Sequence, residues 1–250
     1  MSEDRPNPTP IITSIIIGIA VVWAATTLGG SFVRGRADTD AIKVTGSARK
    51  EIKSDFVIWA STITYRAPQV TGAYQSLKDA GDKAMQYMVS HGLKKEEIKA
   101  QAITTRTLYE KTPNGMEGGD TFRAVQGYEL QQKFEVSSND VDRIEGVSRS
   151  ITDLIATGVP LESQPPQYIY TKLGEVKIEI LADAAKDARR RAEEIAKASG
   201  GSITGVRAAR MSPLQISPVY EYNVATEGQN DTASRDKAIT AIVTMTFGVR

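Results

Sequence analysis

Phe56-Val57-Ile58-Trp59-Ala60-Ser61-Thr62-Ile63-Thr64-Tyr65 is an uncharged run of β-branched, aromatic and small residues. Its length and composition predict a long strand. Directly after it the period changes. Val70, Tyr74, Leu77, Gly81, Ala84 and Met88 recur at three- and four-residue steps, which predicts an amphipathic helix. His91-Gly92 closes it, the glycine being suited to a left-handed cap. Ile98 to Tyr109 reads as a second strand and Tyr128 to Val136 as a third. In the third, Tyr128, Leu130, Phe134 and Val136 share one face, against Glu129, Gln131, Lys133 and Glu135 on the other. That alternation belongs to a half-buried antiparallel strand.

Further outward, Ser138 is placed to cap a second helix, with Asp140 and Asp142 in its first turn where the helix dipole favours anions. Val141, Ile144, Val147, Ile151 and Leu154 form its apolar face, and Gly158-Val159-Pro160 ends it. A short strand at Gln167 to Thr171 follows, then a long helix from Gly174 to Ser199 that stops at Gly200-Gly201. Strands at Ser202 to Met211 and Asp236 to Val249 complete the pattern. The last alternates most cleanly: Ile239, Ala241, Val243, Met245 and Phe247 against Thr240, Ile242, Thr244 and Thr246. The order β-α-β-β-α-β-α-β-β predicts an α+β fold, antiparallel sheets with helices packed on one face. Within it, Ala41 to Thr171 carries the β-α-β-β-α-β order of a split βαβ unit, with a weak internal repeat. Two stretches read as exposed, mobile loops suited to partner contacts: Lys111 to Asp120 and Ser212 to Ser234.

Ahead of this pattern, Ile11 to Leu28 carries no charge, within an uncharged tract from Pro6 to Val33. At about 1.5 Å per residue such a helix spans the hydrocarbon core of a bilayer. The chain therefore divides into a tail (1–10), a membrane anchor or signal segment (11–33), a linker (34–40) and a globular α+β domain (41–250). A transmembrane helix that precedes the domain is the leading reading, with a cleaved signal or a buried core helix as alternatives. The n-region has one cation, Arg5, offset by Glu3 and Asp4, and no clean cleavage site follows Ala24-Ala25 or Gly29-Gly30-Ser31. Arg34 and Arg36 after the span, against Arg5 before it, vote for a cytoplasmic C-terminal domain. The vote is weak, because large domains translocate largely regardless of such a bias.

Composition excludes several function classes. A net charge of +1 sets up no strong field for nucleic acid or anionic lipid. The absence of cysteine excludes disulfides, thiolate nucleophiles and cysteine-bound zinc or iron–sulfur clusters. The single histidine, His91, supports neither a zinc pair nor a serine triad and reads as a dipole partner at its helix end. There is no Gly-rich phosphate loop. Glu175, Glu179, Asp183 and Asp187 fall at four-residue steps and could face a divalent cation, but Lys186, Arg190 and Arg191 make an ion-paired face the stronger reading. Arg189, Arg190 and Arg191 splay over about 200° of a helix and do not form one patch. Neither Glu96-Glu97 nor Glu193-Glu194 makes an acid/base pair, since adjacent helical residues point about 100° apart. Tyr168, Tyr170, Tyr220 and Tyr222 read as packing or interface residues. Asn230-Asp231-Thr232 fits a glycosylation sequon, relevant only in a secretory eukaryotic setting. No catalytic, cofactor-binding or metal-ligating residue is assigned.

The chain also resembles a known family. Val44-Thr45-Gly46-Ser47-Ala48, the Ser54-Asp55 lead into Phe56-Val57-Ile58-Trp59, and Gly127-Tyr128-Glu129-Leu130 are similar to the pattern of the SIMPL-domain family of bacterial envelope proteins. So are the helix from Ala182 to Ala196 and the Thr-rich last strand, and the similarity covers Ala41 to Phe247. In that family the lead is more often Pro-Asp, and the Lys111 to Asp120 tract lies outside its pattern. The resemblance implies an extracytoplasmic α+β domain, exported or anchored, of poorly defined activity, in a group where some relatives form homo-oligomeric rings. It outweighs the vote of Arg34 and Arg36.

The expected function is that of a non-enzymatic binding or scaffold protein. It would be anchored in the inner (cytoplasmic) membrane through 11–28, with its domain in the periplasm, or be soluble there after cleavage. It is expected to form a homo-oligomer, to meet a protein partner through loops 111–120 and 212–234, and to use no nucleic acid and no cofactor. The alternatives are an envelope hydrolase or lipid-modifying enzyme, or a ring-shaped transport or channel component.

Overall fold

A computed structural model describes residues 41–110, 124–221 and 228–250. The anchor or signal segment (11–33), the linker (34–40) and the 111–120 loop lie outside the described residues, as does Tyr222. Among the described residues no helix is long and apolar enough to cross a membrane. Among the described residues the chain is a mixed α+β protein of antiparallel sheets and three α-helices, and it divides into two compact units. One holds residues 41–48, Ile180–Pro213 and Ala241–Arg250; the other holds Arg49–Glu179 and Leu214–Thr240.

The larger unit is built on the run that opens the sequence argument. Strand β2 (Phe56–Ala67) pairs antiparallel with β5 (Val125–Ser138) from Val57↔Ser138 to Ala67↔Tyr128. Beyond β5 lie β3 (Ile98–Ala100) and β4 (Thr104–Tyr109), and beyond β2 lie β6 (Leu161–Ser163) and β7 (Gln167–Ile169). The connectivity, with one helix between β2 and β3 and another between β5 and β6, is the split βαβ order expected from the sequence. It starts at Phe56 rather than Ala41. Helix α1 (Val70–Ser90) and helix α2 (Val141–Ser150), the latter continued by a 3₁₀ turn at Ile151–Thr157, cover the sheet. Val57, Trp59 and Ile63 meet Leu130, Phe134 and Val136 beneath Leu77, Ala84 and Met88 of α1 and Ile144 and Val147 of α2. The Trp59 indole N–H donates to Ser163 Oγ (3.0 Å), which donates on to Ser148 O (2.6 Å), so the buried ring leaves no polar atom unmet.

In the smaller unit, β10 (Asp236–Val249) lies between β1 (Ala41–Lys53) and β8 (Ile203–Met211), each in the part that belongs to this unit. Helix α3 (Leu173–Ala198) packs here from Ile180 onward. In the larger unit the first residues of β10 pair instead with β9 (Gln215–Pro218), Lys237↔Pro218 to Thr240↔Gln215.

Several sequence expectations need correction. β1 was not expected as a strand, because Gly46 and Ser47 carry little β propensity and Arg49-Lys50-Glu51 is a run of charges. The stretch from Ile98 to Tyr109 breaks into β3 and β4, and β6 was not foreseen. Ser138 does not cap α2. The cap is Asp140, whose Oδ1 accepts from Arg143 N (3.1 Å), while Ser138 Oγ accepts from Asp140 N (3.2 Å) and donates to Glu97 (2.6 Å). On α1 the buried face runs through Ala73, Leu77, Ala80, Gly81, Ala84 and Met88, whereas Val70 and Tyr74 are exposed. Alanines let the helix sit close on the sheet, which its bulkier first-turn residues would not. The 212–234 stretch is no plain exposed loop either, since it holds β9 with Gln215, Ile216 and Ser217 buried.

Candidate functional site

The smaller unit rests on a close approach between one glycine and one helix face. Ala184, Ala188, Ala192 and Ala196 recur every four residues along α3, and all are fully buried. A Cβ on Gly46 of β1 would lie 2.3 Å from both Ala184 O and Ala188 N, so only glycine fits there. Val44, two residues earlier, clusters with Ala188, Ala192 and Phe247. β1 and α3 therefore run in opposite directions: higher numbers on the strand meet lower numbers on the helix.

β1 is an edge of its sheet, with β10 on one side and no strand partner on the other among the described residues. The Ser47 amide donates across that open edge to Asp187 Oδ2 of α3 (3.1 Å). Arg190 (2.9 Å) and Arg191 (2.8 Å) pair with the same carboxylate. The Ser47 amide, aided by the two arginines against some burial, holds the Asp187 carboxyl below its ordinary value. Toward the N-terminal end of the strand an open groove of about 610 Å³ lies between β1 and α3. Val44, Thr45, Arg190, Arg191, Glu194 and Ile195 line it.

β8 forms the opposite edge and is finished differently. Its pairing with β10 shifts register twice, between Thr246 and Phe247 and between Phe247 and Val249. Thr204 and Arg207 crowd Gly248 at this point, where a Cβ would lie 2.4 Å from Thr204 Oγ1. Register shifts and the cations Arg207 and Arg210 are common ways to blunt an edge strand.

In the larger unit the β7 edge is covered by the chain itself. Tyr168 N donates to Thr232 O (2.8 Å), and the Lys237 ammonium donates to Tyr168 O (2.6 Å) and Asp231 O (2.5 Å). Lys237 is only 2% exposed, and burial pushes its pKa down, opposed in part by Asp231. The Asp231 carboxylate accepts from Ala233 N (2.8 Å) and Ser234 N (3.2 Å), which turns the strap back toward β10. Arg235 then reaches Asp142 (2.5 Å) and Glu145 (3.4 Å), and its hydrogen bond holds the Asp142 carboxyl below the usual range. A groove of about 650 Å³ borders this strap, with Lys53, Arg235 and a 90% exposed Tyr220 on its walls.

The residues singled out in the sequence fall into structural roles. His91 Nδ1 lies 2.8 Å from Tyr87 O, and its ring stacks on Tyr87 with centroids 4.0 Å apart, so it finishes the C-terminus of α1 as expected. Lys186 pairs with Asp183 (2.9 Å) and Lys50 with Glu179 (2.6 Å), while Arg189 turns away to Glu193 (2.8 Å). Glu97 is a clamp. It accepts from Lys94 N (2.8 Å), Ser138 (2.6 Å) and Arg143 (3.2 Å), and despite burial these bonds keep it well ionised. The Asp55 carboxylate accepts from the Thr171 amide (2.7 Å) and hydroxyl (2.8 Å), which outweigh burial and lower its pKa. Tyr168 is buried, and Asn230 forms a parallel bridge with Ile216. Among the described residues no group of three His, Asp or Glu side chains is placed to hold a metal ion. The sequence reading missed Lys237 and Gly46 as structural pivots. A buried lysine at a strand start has no sequence signal, whereas Gly46 facing an alanine ladder at 184, 188, 192 and 196 had one.

A family model described as SIMPL, protein of unknown function, matches residues 42–247. No curated protein matches the chain. The match spans most of the chain, which therefore belongs to the SIMPL family.

Proposed function

We propose that this SIMPL-family chain is a membrane-anchored, extracytoplasmic binding and scaffold protein that self-associates and carries no catalytic step. The observation behind the reading is the β1 edge of the smaller unit. There a sheet ends beside an open groove, with the Ser47 amide covered by a side chain. Backbone N–H and C=O groups at such an edge are a template for another strand. The carboxylates support the non-catalytic half of the reading. Asp55, Glu97, Asp142 and Asp187 all have lowered pKa values, and each owes this to hydrogen bonds that fasten one segment to another. A general acid would need the opposite shift. The anchor reading rests on the uncharged Ile11 to Leu28 tract. An anchored subunit also gains effective concentration, so even a modest edge contact suffices for assembly.

The test is gel filtration with light scattering on the full-length protein in detergent, with a reporter fused to the C-terminus to read topology. A discrete oligomer and an extracytoplasmic reporter are expected. A monomer at all concentrations would overturn the scaffold reading, and a cytoplasmic reporter would overturn the orientation.

A further inference from the structure

The groove beside β1 has a charge order along its length that selects its occupant. β1 and α3 run antiparallel, so Arg190 and Arg191 stand level with Val44, and Glu194 and Ile195 stand one turn further, level with residue 42. Four helical residues rise about 6 Å, close to the span of two strand residues. Helical side chains lean toward the helix N-terminus. The arginine heads therefore reach toward Asp187 on the Ser47 side, as their ion pairs show, and Glu194 stays behind on the Ile42 side.

We infer that the occupant is a second copy of this chain, its β1 pairing antiparallel with the first across a two-fold axis at Val44. The inference rests on the self-association proposed above. Under that axis Glu194 of each copy comes opposite Arg190 and Arg191 of the other, twice over, which is the reciprocity an isologous contact requires. Ile195, 46% exposed in the single chain and level with Glu194, comes under the same axis toward the arginine stems of the other copy. The covered amide sets the register. Amides of alternate residues face the same edge, so Lys43 and Thr45 present theirs on the side where Ser47 meets Asp187. Pairing with Lys43 opposite Thr45 uses the two outward amides of each strand and leaves Ser47 to its carboxylate. The sheets of the two copies become one, continuous through their β1 strands. The β8 edge, blunted by its register shifts, stays outside.

The experiment uses full-length protein in detergent, with association followed by sedimentation velocity over a concentration series. Glu194→Arg and the double variant Arg190→Glu/Arg191→Glu each place like charges across the axis, and each weakens association about tenfold or more. An equimolar mixture of the two restores it, because every facing pair is then opposite in sign. Thr45→Pro removes an outward amide without touching the charges and weakens association in the wild-type background. The chain has no cysteine, so Lys43→Cys and Thr45→Cys report without background. Mixed, they form a heterodisulfide, since facing Cα atoms about 5.5 Å apart lie within disulfide reach. If the wild type self-associates and the charge variants match it, another surface forms the contact and the inference falls while the scaffold reading stands. The same holds if the mixture fails to rescue two variants that melt like wild type. If the wild type itself stays monomeric, both fall.

Discussion

The two units finish a sheet edge in opposite ways. At β7 the chain supplies its own cover: the Thr232 carbonyl takes one edge amide, and the Lys237 ammonium takes the carbonyl beside it. At β1 the cover is one carboxylate, Asp187, on one amide, followed by an open groove. A covered edge costs a buried ammonium but is closed to outside strands. An edge that ends beside an open groove keeps backbone groups within reach of another strand. The contrast separates an edge closed by its own chain from one left open.

The strongest way to break it is at the glycine on which the open edge depends. Gly46→Val would drive a side chain into the α3 backbone and should cost about 3 kcal/mol or more, read as a fall in the denaturant midpoint. A second break, at the closed edge, is Lys237→Met, which leaves the Tyr168 and Asp231 carbonyls without their donor and should cost about 2 kcal/mol. Its pH signature sharpens the assignment. The Lys237 pKa is lowered in the folded state, so the unfolded chain binds the extra proton. Wild-type stability therefore rises as pH climbs through the folded value toward the ordinary lysine value, and Lys237→Met should flatten that rise in alkaline urea titrations.

Asp187→Asn should cost about 1 kcal/mol at neutral pH by weakening the Ser47 bond and both arginine pairs. The Asp187 pKa is lowered in the folded state, so its contribution is complete above the unfolded value of 3.8 and is lost as pH falls through the folded one. Acid unfolding of the variant should accordingly show a shallower slope below that point. The smallest effect belongs to the blunted edge. Met211→Gln on β8 replaces an exposed side chain and should change stability by less than about 0.5 kcal/mol, measured by thermal melting, with association unchanged.

The elements that could be read from sequence are those whose pattern matches one environment. β10 was placed at its observed bounds because core and solvent residues alternate along it, and α3 came within a residue because one face is apolar and its end is marked by Gly200. β1 could not be read that way. Gly46 is a strand residue only because an alanine face elsewhere in the chain leaves it no other place. β9 was hidden by the prolines around it, and Lys237 by the rule that lysines face water, which here yields to two carbonyls. The candidate edge was half legible. The Val44 to Ala48 and Ala182 to Ala196 segments both carried the family resemblance, but their contact with each other lies in the fold and not in any local signal.

That contact also dictates timing. Ser47 and Asp187 are 140 residues apart, and the strand that β1 must pair with in its unit, β10, is the last element of the chain. Loop closure over such a distance is slow, and no local pairing substitutes for it. During synthesis β1 therefore emerges early and stays unpaired until β10 has been made. A subunit that assembles through β1 would thus acquire its interface only at the end of its own folding, which keeps partly made chains from joining the assembly.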